Sequence, residues 1–211
     1  MWVEGFILKM AGIPQNFQSI SPVLSNYNFV DIASGTGYIN FYAGNTVDKI
    51  LLSNFTYYSN VIYYEGNTVG VNDTVLIDKD FDTVLNRPLD LKGIGIVNVG
   101  VYTSAACTIY ITATLRKWNG VTETDIVTND SSTYLGGSAT YKMLSIDLDI
   151  PITHFKVGET LRLTIQLKET ASSAGRTVRF ANDPLGRTTG WDTTGAVPSR
   201  LMFQCPVRLN L

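Results

Sequence analysis

The chain has 211 residues, of which 45% are hydrophobic and 16% charged, and a formal net charge of −2. That is enough apolar material for the core of one large domain, while the charged fraction falls well under the roughly 25% of ordinary soluble domains. No basic cluster exceeds the Arg116-Lys117 pair, which argues against a phosphate-tracking nucleic-acid surface, and no stretch approaches the roughly 20 apolar residues of a membrane-spanning helix.

The chain opens with Trp2 and Phe6 in an apolar run that Glu4 interrupts, with no cationic region before it. This is not the pattern of a secretory signal. Met10 opens a plausible second start, so residues 1–9 read as an extension or a short contact arm whose anchors are Trp2 and Phe6. Residues 1–73 are rich in Tyr, Asn, Ser and Gly and hold short β-like runs at 29–32, 38–42, 49–52 and 61–64, separated by turn formers such as Ser34-Gly35-Thr36-Gly37. Tyr42-Ala43-Gly44-Asn45 is echoed by Tyr64-Glu65-Gly66-Asn67, two similar hairpin corners rather than a repeat architecture.

From residue 74 the two-residue period strengthens. In 74–84, Val75, Ile77, Lys79, Phe81 and Thr83 oppose Asp78, Asp80 and Asp82. A run over 89–101 follows, and then 106–118 sets Cys107, Ile109, Ile111, Ala113 and Leu115 against Thr108, Tyr110, Thr112, Thr114 and Arg116. Asn119-Gly120 is a hairpin dipeptide because both residues tolerate positive φ, and it leads into 121–127. Residues 128–140 read as a polar loop. Residues 142–150 alternate until Pro151, which lacks the N–H a ladder needs. Residues 161–167 and 177–181 are further strands, 182–199 is a long Gly/Thr/Pro loop, and 200–211 alternates with Leu201, Phe203, Cys205, Val207, Leu209 and Leu211 on one face and Gln204 and Arg208 on the other.

Strands that recur about every ten to fifteen residues, with no helical stripe, predict an all-β fold. The expectation is an antiparallel β-sandwich, jelly-roll-like, whose eight strands fit within 74–211, with 1–73 as an N-terminal arm or small β-subdomain. The low-charge surface suits packing against other subunits, since few charges need desolvating, and equally suits sugar recognition.

No catalytic constellation stands out. His154 is the only histidine and no Gly-x-Ser-x-Gly motif exists. Asp78, Asp80 and Asp82 have the spacing of the first calcium ligands of an EF-hand, but Thr83 and Leu89 stand where Gly and Glu are needed, so they read as the solvent side of a strand with Lys or Arg beside it. Asp147, Asp149 and Glu159 are candidates for a glycosidase pair, but Asp147 and Asp149 lie on the solvent side of one strand and nothing marks a cleft. Cys107 and Cys205 read as buried hydrophobes, and whether they pair is open. No cofactor or metal is implied. The segment 186–192 carries Arg187 and an expected exposed Trp191 among glycines, which suits either sugar stacking or an interface anchor. Tyr57-Tyr58 and Tyr63-Tyr64 share that ambiguity, with one ring of each pair directed outward if the segments are strands; Tyr57 and Tyr63 join the candidate contact residues.

Three segments carry a resemblance: Phe81 to Gly93 with its Arg87-Pro88-Leu89 corner, the Thr-rich Tyr110 to Trp118, and Phe155-Lys156-Val157-Gly158-Glu159 feeding Leu161-Arg162-Leu163. Together they resemble a β-sandwich type of tailed-bacteriophage virion proteins. The resemblance implies a non-enzymatic capsid decoration or cement protein, or another head or tail component, located in the virion and contacting the major capsid protein and copies of itself. It carries over no catalytic or binding residue. The alternative is a carbohydrate- or receptor-binding module using Trp191 and surface tyrosines, with a surface glycan as partner; a glycan hydrolase ranks third.

Overall fold

The structure, a computed structural model, describes residues 36–46, 50–192 and 194–208. Trp2, Phe6 and the expected strand at 29–32 lie outside the described residues. Among the described residues there is no helix. Twelve strands follow in order: β1 (Thr36–Asn45), β2 (Ile50–Ser53), β3 (Tyr63–Asn67), β4 (Thr74–Val84), β5 (Leu89–Thr103), β6 (Cys107–Trp118), β7 (Glu123–Asp130), β8 (Tyr134–Gly136), β9 (Thr140–Phe155), β10 (Thr160–Ser172), β11 (Thr177–Ala181) and β12 (Leu201–Arg208).

The pairings define two antiparallel four-stranded layers. One is β9-β5-β12-β1, since β9 and β12 both pair with residues 96–99 of β5 and so hold its opposite edges. The other is β4-β10-β6-β7. β11 and β3 extend the first layer beyond the end of β5, and β2 extends it beyond β1. A single parallel bridge, Leu51 to Asp82, joins the layers at one edge. Except for the β6–β7 hairpin, successive strands of the eight cross between layers in jelly-roll order, so the expected all-β sandwich is what forms.

Inward side chains of both layers make one core. Leu91, Val97 and Val99 of β5, Ile146 and Leu148 of β9 and Phe203 of β12 face Ile109, Ile111 and Leu115 of β6, Leu163 and Ile165 of β10 and Phe81 of β4. Burying each such side chain stabilises the fold by about 1.5–3 kcal/mol, which is why the period of two dictates the layer each strand can join.

Four expectations need correction. The eight strands do not all lie after residue 73: β1 pairs with β12 over eight residues and sits inside the sheet, so the compositional shift near residue 74 is not a division of the sandwich. Pro151 does not end β9, which runs to Phe155; Pro151 and Ile152 bulge out opposite Lys92, where the register slips and Gly93 adopts φ +118°. A bulge removes the need for the proline's missing N–H. β7 runs on through Thr128 to Asp130 and β8 follows, within what reads as loop, because a strand polar on both faces shows no alternation. Finally, Gln204 is only 4% exposed, since β12 is central, flanked by Asn40 of β1 and Ile96 of β5.

Candidate functional site

Of the residues singled out from the sequence, Tyr63 and Trp191 meet on the outer side of the β5/β11/β3 corner. β-strand parity turns Gly100 and Tyr102 of β5, Tyr141 of β9, Arg179 of β11 and Tyr63 and Glu65 of β3 away from the core. Arg179 lies 4.3 Å from the centroid of the Tyr63 ring and 5.0 Å from that of Tyr102, and its Nε donates to Glu65 Oε2 at 2.6 Å. Tyr102 and Tyr141 are 4.7 Å apart, and Trp191 meets Tyr141 edge-on at 5.2 Å and Tyr63 at 5.9 Å.

Trp191 is not exposed. It is 3% accessible, its Nε1 donates to the Val197 carbonyl at 3.0 Å, and the Tyr141 hydroxyl donates to its own carbonyl at 3.1 Å. The indole therefore presents no free face for a sugar ring. Two buried aspartates fold the loop around it. Asp183 accepts from the Arg187 N–H at 2.7 Å, from Arg187 Nε at 2.9 Å and from the Leu185 N–H. Asp192 accepts from the Thr194 hydroxyl at 2.6 Å and from the Thr194 and Val197 N–H groups. The Thr194 hydroxyl, against a smaller opposing effect of burial, holds the Asp192 carboxyl below its ordinary range.

Arg187 is equally committed. Its guanidinium covers the Tyr58 ring at 4.1 Å and donates to the Ser59 carbonyl, and the Asp183 carboxylate holds it in its charged form. Tyr57 is half-buried, and burial foremost pushes its hydroxyl up. Arg187 thus pins the 54–62 segment to the 182–200 loop through Tyr58 and Ser59. Sequence reasoning missed Asp183 and Arg179. Asp183-Pro184-x-Gly186 is a turn signature that points to a loop closed on itself.

The remaining acids are distributed. On the outer face of the second layer, Arg162 grips Asp82 through Nε at 2.7 Å and Nη2 at 2.8 Å and reaches Glu123 at 2.7 Å, while Arg116 holds Asp125 at 2.7 Å. Thr164 donates to Asp80 and Gln166 to Asp78. The three aspartates of β4 are therefore matched to a basic and amide row on β10, and no group of three or more metal-ligating side chains is assembled among the described residues. His154 Nδ1 lies 2.5 Å from Asp90 Oδ1 across β5 and β9, half exposed, with no nucleophile beside it. Glu159 is taken by Lys117 at 2.7 Å, and Asp147 and Asp149 are exposed on a strand face. A cleft of about 160 Å³ between Phe41, Leu85 and Leu89 falls short of the roughly 300 Å³ and more of small-molecule sites.

No protein-family description and no curated protein matches the chain. Solved structures do. A CocE/NonD family hydrolase from Staphylococcus aureus superimposes with TM-score 0.51 at 13% identity, over 82% of this chain and 37% of that one. An aminopeptidase from the marine sediment archaeon Thaumarchaeota archaeon gives TM-score 0.53 at 10% identity, over 82% and 37%. The chain spans little more than a third of the length of these enzymes, and the likeness is one of fold. The infectious bursal disease virus Gx strain structure matches at TM-score 0.32 and 11% identity, over 79% of this chain and 40% of that one, a superposition too loose to bear on role.

Proposed function

We propose that this chain is a non-enzymatic structural component of a virion, a jelly-roll module of the capsid-decoration or head/tail kind, acting through protein–protein contacts with a shell protein and with copies of itself. One observation carries the reading. Trp191 and Arg187, the side chains a ligand site in the 182–200 loop would use, are engaged in closing that loop, Trp191 on the Val197 carbonyl and Arg187 on the buried Asp183. What remains to meet a partner is broad: a sheet face and apolar loop tips rather than a pocket. The low charge of the chain and its resemblance to bacteriophage virion sandwiches support the same role.

The sugar-binding alternative loses its anchor with the burial of Trp191. The test is mass spectrometry of purified particles assembled in the presence of the chain. A fixed copy number per particle is expected, in keeping with the symmetry of the shell. A chain absent from particles, or one that turns over an ester or glycan substrate, overturns the proposal.

A further inference from the structure

Among the described residues, two surfaces of the sandwich differ in the sign of their charge. The outer face of β4-β10-β6-β7 carries Asp78, Asp80, Asp82, Glu123, Asp125 and Asp130, with the guanidiniums of Arg116 and Arg162 and the Lys168 ammonium, which lies over the Tyr110 ring, among them. Six carboxylates against three cations leave this face three charges negative. Both guanidiniums are engaged in the ion pairs already described, so the surplus is open to an outside partner.

The opposite sign gathers at one end of the sandwich. The β4–β5, β6–β7 and β9–β10 connections leave the sheets there, and two are tied together by Leu85 N donating to the Glu159 carbonyl at 2.9 Å and Gly158 N to the Leu85 carbonyl at 2.8 Å. Arg87, Lys92 and Lys156 are exposed at this end, and no ion pair engages them among the described residues. Of the nearby acids, Glu159 is paired with Lys117, while Asp90 meets only the His154 imidazole, so three cations face one carboxylate without a cationic partner and the end stays positive. Around the cations, Val84, Val121, Ile152 and Val157 are between 62% and 85% exposed. Apolar side chains presented on a basic rim are what an interface core surrounded by charge requires.

The acidic face and the basic end are built on the same rigid strands and cannot meet within one molecule. We propose that the basic, apolar-tipped end of one copy docks on the acidic β4-β10-β6-β7 face of a second copy. Such a contact is heterologous, so it propagates into a closed ring or an open array according to the rotation between copies. An anionic lipid surface would engage the basic end alone and leave the acidic face facing like charge; the presence of both complementary surfaces on one chain favours a second copy. The inference deepens the structural role proposed above and rests on it only for the premise of protein–protein contact. Its readout is self-association of the purified chain, whereas that role is read from particles, so either can fail without the other.

The experiment is sedimentation velocity on the full chain and two charge-exchange variants, Arg87→Glu/Lys156→Glu and Asp78→Lys/Asp130→Lys. None of the four positions is in the core, and circular dichroism checks that each variant stays folded. The wild type associates with rising concentration at low salt and dissociates near 1 M salt, where charges are screened beyond about 3 Å. Each variant alone associates at least about tenfold more weakly, because like charges then oppose at the contact. An equimolar mixture of the two regains association, since the acidic end of one fits the basic face of the other. A wild type that stays monomeric at about 100 μM in low salt, where electrostatic attraction is least screened, overturns the proposal. So do variants that associate like the wild type, a mixture that remains monomeric, or binding confined to anionic vesicles through the basic end.

Discussion

Gly100 lies directly beneath Trp191. A Cβ at position 100 would fall 3.2 Å from Trp191 Cζ2 and 2.9 Å from the Pro198 carbonyl oxygen. The missing side chain is what allows the 182–200 loop to lie flat on β5. Gly100→Ala should therefore lift the loop and destabilise the protein by about 1–3 kcal/mol, the usual range for overpacking. Urea midpoints measure this, and a red shift of tryptophan fluorescence should accompany it as the indole becomes wet. An unchanged midpoint would show that the loop yields without strain.

Trp191→Ala removes the centre of the same packing and should cost about 3–5 kcal/mol. The damage should be local first, with limited proteolysis cutting between residues 182 and 200 before the sheets are lost. A variant of full stability with a lost glycan affinity would instead make Trp191 a binding residue.

Asp192 gives the protein an acid limb. Its carboxyl is depressed in the folded state, chiefly by the Thr194 hydroxyl, so its contribution is fully present above the unfolded value of about 3.9 and is lost as pH falls through the folded value. Stability should decline below about pH 4, where unfolded-state carboxyls take up protons. Asp192→Asn should be less stable at neutral pH and show a shallower acid decline. Thermal midpoints measured from pH 7 downward would decide it, and parallel curves would count against the assignment.

Arg162 joins Asp80, Asp82 and Glu123. Arg162→Met should destabilise by about 1 kcal/mol, near the upper end for partly exposed pairs, because one change strands several carboxylates. The loss should shrink in about 1 M salt, where screening is strong. Thermal melts at two salt concentrations test both parts.

Cys107 and Cys205 are free and buried in opposite layers, and burial pushes both thiols up. Since the thiolate is the reactive species, a thiol reagent should titrate neither in the native protein and both after denaturation. A disulfide found by mass spectrometry would contradict the arrangement.

The strands were legible wherever one face is apolar and the other wet. β6 and β10 carry that pattern because their inner residues meet the opposite layer while Thr and Arg meet water. β7 runs past the expected 121–127 because neither of its faces is apolar, and β9 runs past Pro151 because a bulge excuses the proline's missing N–H. The candidate site was legible in composition but not in sense. Trp191, Arg187 and Tyr63 are near one another, yet as parts of the fold.

Side-chain alternation along one strand is a local property, set by the two-residue repeat of the extended backbone, so the all-β sandwich could be read from the chain alone. Whether a loop tryptophan faces water or packs on a glycine far back in the chain, as Trp191 does on Gly100, is a pairwise property of distant segments, and so is the matching of Asp82 to Arg162. Only the crossing of strands between layers brings such residues together, and that crossing decided that the loop carrying Trp191 closes on β5 and that the Asp row of β4 meets Arg162 of β10.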